Sequence, residues 1–119
     1  GRKTAIEIKK LELESHLFIH PVYIDNSPNS ICEAQMLGLP VISTNVGGIA
    51  SLIKDGKTGI LVPANDPFIT AAKIIELTSE QSKLKEISAN SQTVANERHN
   101  KTNVINSLIQ GYKSLLDKA

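Results

Sequence analysis

Two carboxylates eight residues apart bracket a polar helix start in the stretch Asp25-Asn26-Ser27-Pro28-Asn29-Ser30-Ile31-Cys32-Glu33. With Ser27 as cap and Pro28 at the first helical position, a helix begins here. Its first backbone N–H groups, those of Asn29, Ser30 and Ile31, then have no helical partner. Together with the helix dipole they form an anion site, and the Asn29 and Ser30 side chains add polarity at the same spot. Glu33 falls about one turn further in, on the strand-end side, where a carboxylate can accept two hydrogen bonds from a vicinal diol. Asp25 precedes the helix on the loop. Such a set suits a ligand carrying phosphate and many hydroxyls. The same residues also fit a plain structural role, because acidic groups near a helix N-terminus are stabilising and Asp, Asn, Ser and Pro are frequent turn formers. The loop alone leaves both readings open.

The elements around this loop follow from hydrophobic patterning. Residues 5–14 read as a short helix with Ile6, Lys9 and Leu13 near one side. Residues 17–20 are an apolar run stopped by Pro21, a buried strand. The helix from Pro28 runs to about Leu37 and ends at Gly38. A second buried strand covers 40–43, a glycine-containing loop covers 44–48, and about two helical turns lead to Lys54. Asp55-Gly56-Lys57-Thr58-Gly59 is a turn, and 60–62 is a third strand closed by Pro63. Asp66 caps a helix to about Leu77, and a polar helix fills 79–97. A last helix from Thr102 carries an apolar stripe of Ile105, Leu108, Ile109, Tyr112, Leu115 and Leu116, which reads as core packing against this domain or another one. Short apolar strands alternating with helices imply an α/β fold, a three-layer, Rossmann-like parallel sheet of three strands followed by C-terminal helices. Sites in such sheets lie beyond the carboxyl ends of the strands, here after His20 and after Ser43.

Composition narrows the classes. The chain has 119 residues and a formal net charge of +1. With no basic run to neutralise phosphates, nucleic acid is not an expected partner. Cys32 is the one cysteine, which rules out an internal disulfide and fits a reducing compartment. No stretch has the roughly 18 apolar residues of a spanning helix, and Gly1-Arg2-Lys3-Thr4 opens a charged helical pattern unlike a signal peptide.

Other features read as bland. Gly56-Lys57-Thr58 has the tail of a phosphate-binding P-loop, but position 51 is Ser51 where that motif needs glycine, and the segment precedes a strand. Gly47-Gly48 either lets a backbone approach a ligand or simply turns. His20 ends a strand at the site edge as a packed or ligand-adjacent residue, whereas His16 and His99 have no partner pattern. Cys32 reads as a small core residue. Asn100-Lys101-Thr102 is formally a glycosylation sequon without a secretion signal. No metal-ligand spacing is present.

His20-Pro21, the stretch from Asp25 to Ala34, Gly38-Leu39-Pro40-Val41-Ile42-Ser43-Thr44-Asn45-Val46-Gly47-Gly48, and Asp55-Gly56-Lys57-Thr58-Gly59-Ile60-Leu61-Val62-Pro63 together resemble the C-terminal domain of retaining glycosyltransferases of the GT-B fold. The family includes sucrose-synthase-like and bacterial polysaccharide enzymes. The resemblance runs unbroken from about Phe18 to Asp66. It implies a nucleotide-diphosphate sugar as donor substrate, with no permanently bound cofactor and no metal. Two glutamates eight residues apart mark the donor site in that family, and Asp25 and Glu33 hold those places here. By resemblance Glu33 bonds the ribose hydroxyls, Asp25 sits by the transferred sugar, and the amides of Asn29, Ser30 and Ile31 face the diphosphate or sugar, with Gly48 beside them. Asp25 is one methylene shorter than the family's residue, which bears on any catalytic role but leaves a hydrogen bond to a sugar hydroxyl within reach.

The resemblance further implies that residues 1–119 form a single partial domain, about the second half of a donor-binding domain. The family's diphosphate-neutralising Arg and Lys, the first strands of the domain, and an N-terminal domain for a carbohydrate or lipid-linked acceptor match nothing in this chain. The expected setting is cytoplasmic, peripheral at the inner face of a membrane for the full-length protein. The strand holding Phe18 and Ile19 would then expose a long apolar edge, an invitation to self-association. A non-catalytic binding or assembly module with the same fold is the alternative, because fold does not fix function. Another nucleotide-diol binder, a relative of sugar epimerases or phosphorylases, is a third option that the Gly47-Gly48 context disfavours.

Overall fold

The computed structural model describes residues 1–119. In chain order it contains α1 (Ala5–Leu13), β1 (Phe18–His20), α2 (Asn29–Met36), β2 (Val41–Thr44), a single 3-10 turn (Ile49–Ser51), β3 (Ile60–Val62), α3 (Pro67–Ser79), α4 (Gln81–Arg98) and α5 (Lys101–Leu116). The three strands form one parallel sheet in the order β1-β2-β3, with Ile19 opposite Ile42 and Ile42 opposite Ile60.

The strand alternation of side chains sorts the core into two faces. Val41 joins Ile31, Ala34, Leu39, Ile49 and Ile53 on the α2 face. Its neighbour Ile42 joins Ile60, Val62, Leu77 and Ile87 on the face covered by α3 and α4. This is the expected three-layer α/β arrangement. Beyond Ile87, α4 continues to the end of α2. Ser88 Oγ donates to Gly38 O at 2.5 Å and Gln92 Nε2 to Met36 O at 3.1 Å. Arg98 reaches Gln35 Oε1 at 3.1 Å and Leu52 O at 3.0 Å. Gly38 precedes β2, so α4 closes the amino-terminal end of the sheet and leaves the carboxyl-terminal end open.

Several boundaries and faces differ from the sequence reading. Pro28, and not Ser27, is the N-cap of α2, and no side chain caps it; Asp25 accepts from the Ser27 N–H instead. The second strand begins one residue later, at Val41. Two helical turns after Gly48 reduce to one 3-10 turn, in which Ser51 Oγ bonds Gly48 O. α1 forms as expected, with a Thr4–Glu7 capping box, but Ile6 and Leu13 are exposed and Glu12 is its buried residue. Cys32 is half-buried. No residue of α5 is buried, so its apolar stripe does not pack into this core. The sheet faces are already covered by α2, α3 and α4, and α5 has no free face to join. β1 is an edge strand as expected, yet only three residues long, so the open edge is short.

Candidate functional site

The carboxyl ends of β1 and β2 are tied together by side chains of β2. Ser43 Oγ donates to His20 O at 3.1 Å, and Thr44 Oγ1 donates to Val22 O at 2.6 Å while accepting from Val22 N at 3.2 Å. Both hydroxyls are buried, where an unpaired polar group would be costly. They bend the chain leaving β1 across β2. There it meets the loop after β2, where Gly48 N donates to Asp25 O at 3.2 Å. Gly47 has φ +53, a conformation that favours glycine, and a Cβ on it would strike Asp25 O. A Cβ on Gly48 would strike Asn26 O. The glycine pair therefore lets two strand-end loops lie backbone against backbone, and the bare face of Gly48 is filled by Asn26.

Asp25 is held within this junction. Its Oδ1 accepts from Ser27 N at 3.2 Å and its Oδ2 lies 3.3 Å from His20 Nε2. The His20 side chain is 14% exposed and that of Asp25 30%. The imidazole stacks on Phe18 with ring centroids 6.0 Å apart and an interplanar angle of 20°. Sequence reading placed His20 at the site edge and missed its pairing with Asp25. The available signal was a histidine ending a strand five residues before an aspartate, with Pro21 turning the chain between them.

At the start of α2 the first helical backbone bond is Cys32 N to Pro28 O, at 3.5 Å. With no side-chain cap, the N–H groups of Asn29, Ser30 and Ile31 stay available, as the anion-site reading requires. Asn29 is exposed, Ser30 half-buried, and the Ile31 side chain fully buried in the core, so Ile31 offers only its backbone. Asp25, Asn29, Ser30, Ile31 and Gly48 thus belong to one corner of the molecule.

Glu33 has a different setting. It is exposed and lines a groove of about 450 Å³ between α1 and α2, with Ile8, Lys9, Glu12 and Met36 among the walls. The groove does not include Asp25. Burial, with a lesser contribution from the Glu33 charge, pushes the Glu12 carboxyl above the usual range. One carboxylate is therefore held beside the helix N-terminus, while the other is open to solvent on the helix flank.

The segment with P-loop-like letters lies elsewhere. Gly56 has φ +72, and buried Thr58 accepts from Lys54 N at 2.8 Å. This is a turn leading into the amino end of β3, as the sequence reading holds.

The model of the family described as glycosyl transferases group 1 matches residues 1–94. The Salmonella typhimurium protein WcaL, provisionally named a colanic acid biosynthesis glycosyltransferase, is 33% identical over 84 residues, which are 66% of this chain and 21% of that protein. The D-inositol 3-phosphate glycosyltransferase of Streptomyces bingchenggensis is 34% identical over 71 residues, 60% of this chain and 16% of the relative. Among solved structures, sucrose-phosphate synthase from Thermosynechococcus elongatus superimposes with a TM-score of 0.84 at 21% identity, covering 100% of this chain and 30% of its own. Anabaena HepE in complex with UDP-glucose gives 0.79 at 23% identity, covering 88% and 29%. The fold is the Rossmann-like α/β fold found in these GT-B glycosyltransferase structures. The chain spans about a fifth of the length of these curated relatives.

Proposed function

The chain belongs to the group 1 glycosyl transferase family, and on that premise we propose that the protein carrying it transfers a sugar from a nucleotide-diphosphate sugar to a carbohydrate or lipid-linked acceptor, with retention at the anomeric carbon. The observation that carries this reading is the uncapped start of α2, set at the carboxyl end of a parallel sheet between Asp25 and Glu33. The amides of Asn29, Ser30 and Ile31 receive the diphosphate or sugar, Glu33 the ribose hydroxyls and Asp25 the transferred sugar. Gly48 contributes by seating the Asp25 loop. The complex of HepE with UDP-glucose supports a nucleotide sugar as the donor class.

The chemistry is electrostatic: fixed N–H dipoles and cations stabilise the leaving diphosphate. The cations and the acceptor site are contributed from outside these 119 residues, so this chain alone does not turn over. The full-length protein works in the cytoplasm, peripheral at the inner face of a bacterial membrane, in polysaccharide synthesis. No helix here is long and apolar enough to cross a membrane. Isolated, the chain self-associates through the β1 edge, and a monodisperse monomer in light scattering at high concentration would count against that.

Calorimetric titration of the full-length protein with UDP, GDP, UDP-glucose and GDP-mannose tests the assignment. Binding of at least one pair is expected, with loss in Glu33→Ala. Absence of binding to all four would overturn it in favour of a non-catalytic assembly module on the same fold.

A further inference from the structure

His20 is held at the carboxyl end of β1 beside Asp25. It ends a three-residue strand whose backbone is fixed twice over, by register with Ser43 and by the Ser43 Oγ bond to His20 O at 3.1 Å. Its ring is largely buried and stacked on Phe18. A side chain locked in this way is a rigid arm, and its Nε2 lies 3.3 Å from Asp25 Oδ2. Asp25 is on a loop, where a short carboxylate held only by its own Ser27 N–H turn could still swing its second oxygen. The imidazole removes that freedom. With 30% of its side chain exposed, Asp25 keeps lone pairs open to a ligand hydroxyl, because a carboxylate offers about four acceptor sites.

We propose that His20 is a positioning residue that holds Asp25 in the sugar half of the donor site, acting through the Nε2–Oδ2 hydrogen bond. The inference rests on the functional reading above. A carboxylate fixed before binding loses less conformational freedom when a hydroxyl arrives. The bond also anchors the shorter aspartate side chain to the sheet and not merely to its loop. A loop staple with no tie to the sugar would affect all ligands alike, which separates the two roles.

The test uses the full-length protein titrated with UDP, GDP, UDP-glucose and GDP-mannose. His20→Phe keeps the stack on Phe18 and removes the donor. His20→Gln places an amide N–H near the position of Nε2 without the ring. His20→Phe is expected to weaken the preferred nucleotide hexose about tenfold, the scale of one hydrogen bond to a charged group, with the parent nucleoside diphosphate unaffected. His20→Gln restores the hexose affinity. On an Asp25→Ala background, His20→Phe has no further effect. Equal losses for diphosphate and hexose, no loss in His20→Phe, or failure of His20→Gln to restore binding would each overturn the proposal while leaving the donor assignment standing. A wild type that binds none of the four ligands overturns both. If His20→Phe loses its thermal transition, His20→Asn, whose shorter amide falls short of Asp25, replaces it under the same criteria.

Discussion

Gly48 stands against Asn26 with no room between them for a side chain, since a Cβ on Gly48 would collide with the Asn26 carbonyl oxygen. The Gly48 N–H meanwhile donates to Asp25 O at 3.2 Å. The φ of Gly48 is −87, an angle open to any residue, so the requirement for glycine is one of space. Gly48→Ala must therefore push two strand-end loops apart. A loss of about 1–3 kcal/mol in urea unfolding is expected, the usual cost of overpacking, together with weaker nucleotide-sugar binding. Unchanged stability would show that the loops separate freely.

Arg98 joins the end of α4 to the sheet's amino end through buried Gln35. Gln35 Nε2 donates to Leu52 O at 3.1 Å and to Thr58 O at 3.3 Å, and its Oε1 accepts from Arg98 at 3.1 Å. Arg98→Ala leaves a buried amide oxygen unpaired. The expected loss is about 1–3 kcal/mol of unfolding free energy. Arg98→Lys recovers only part of this, because a point-charge ammonium cannot reach both oxygens as a planar fork does.

Glu12 offers a test by pH. Its carboxyl is held above the ordinary carboxylate range, first by burial and then by the charge of Glu33. An acid with a higher pKa in the folded state binds more protons there, so stability falls as pH rises from the unfolded pKa through the folded one. Glu12→Gln should therefore melt at a higher temperature than the wild type near pH 7. The gap should close as pH falls and disappear below the ordinary carboxylate range. Glu33→Gln should give a smaller gain of the same sign, because burial is the larger cause. A gap that persists at low pH would point to packing and not to ionisation.

The stripe on α5 is exposed along its whole length, from Ile105 at 43% to Leu116 at 74%. Replacing Leu108 and Leu116 with serine in this chain should change the unfolding free energy by less than about 0.5 kcal/mol, as for surface sites. A larger loss would mean that α5 packs onto the sheet in solution.

Much of the architecture was legible in short-range patterns. The run Ile60-Leu61-Val62 and the Asp66-Pro67 helix start appear in the structure where the letters place them, because an apolar run between turn residues and a cap next to Pro are decided within a few residues. Boundaries failed where other bonds, local or tertiary, compete with the patterning rules. Ser27 has the right side chain for a cap, yet Asp25 takes its N–H and Pro28 ends the extended segment. The turn after Gly48 stays one turn long because its start is fixed against Asn26.

The sequence by itself determined the family, the alternation of strands and helices, and the spacing of Asp25 and Glu33, all of which are properties of order along the chain. Only the tertiary structure decided which partners the candidate groups meet. It gave Asp25 to His20, set Glu33 in a groove beside Glu12, filled the bare face of Gly48 with Asn26, and left the α5 stripe uncovered. The physical reason is that these contacts join residues on different elements. Their distances are fixed by how the strand ends cross and how the helices pack, and local order along the chain carries a signal only for His20 and Asp25, five residues apart.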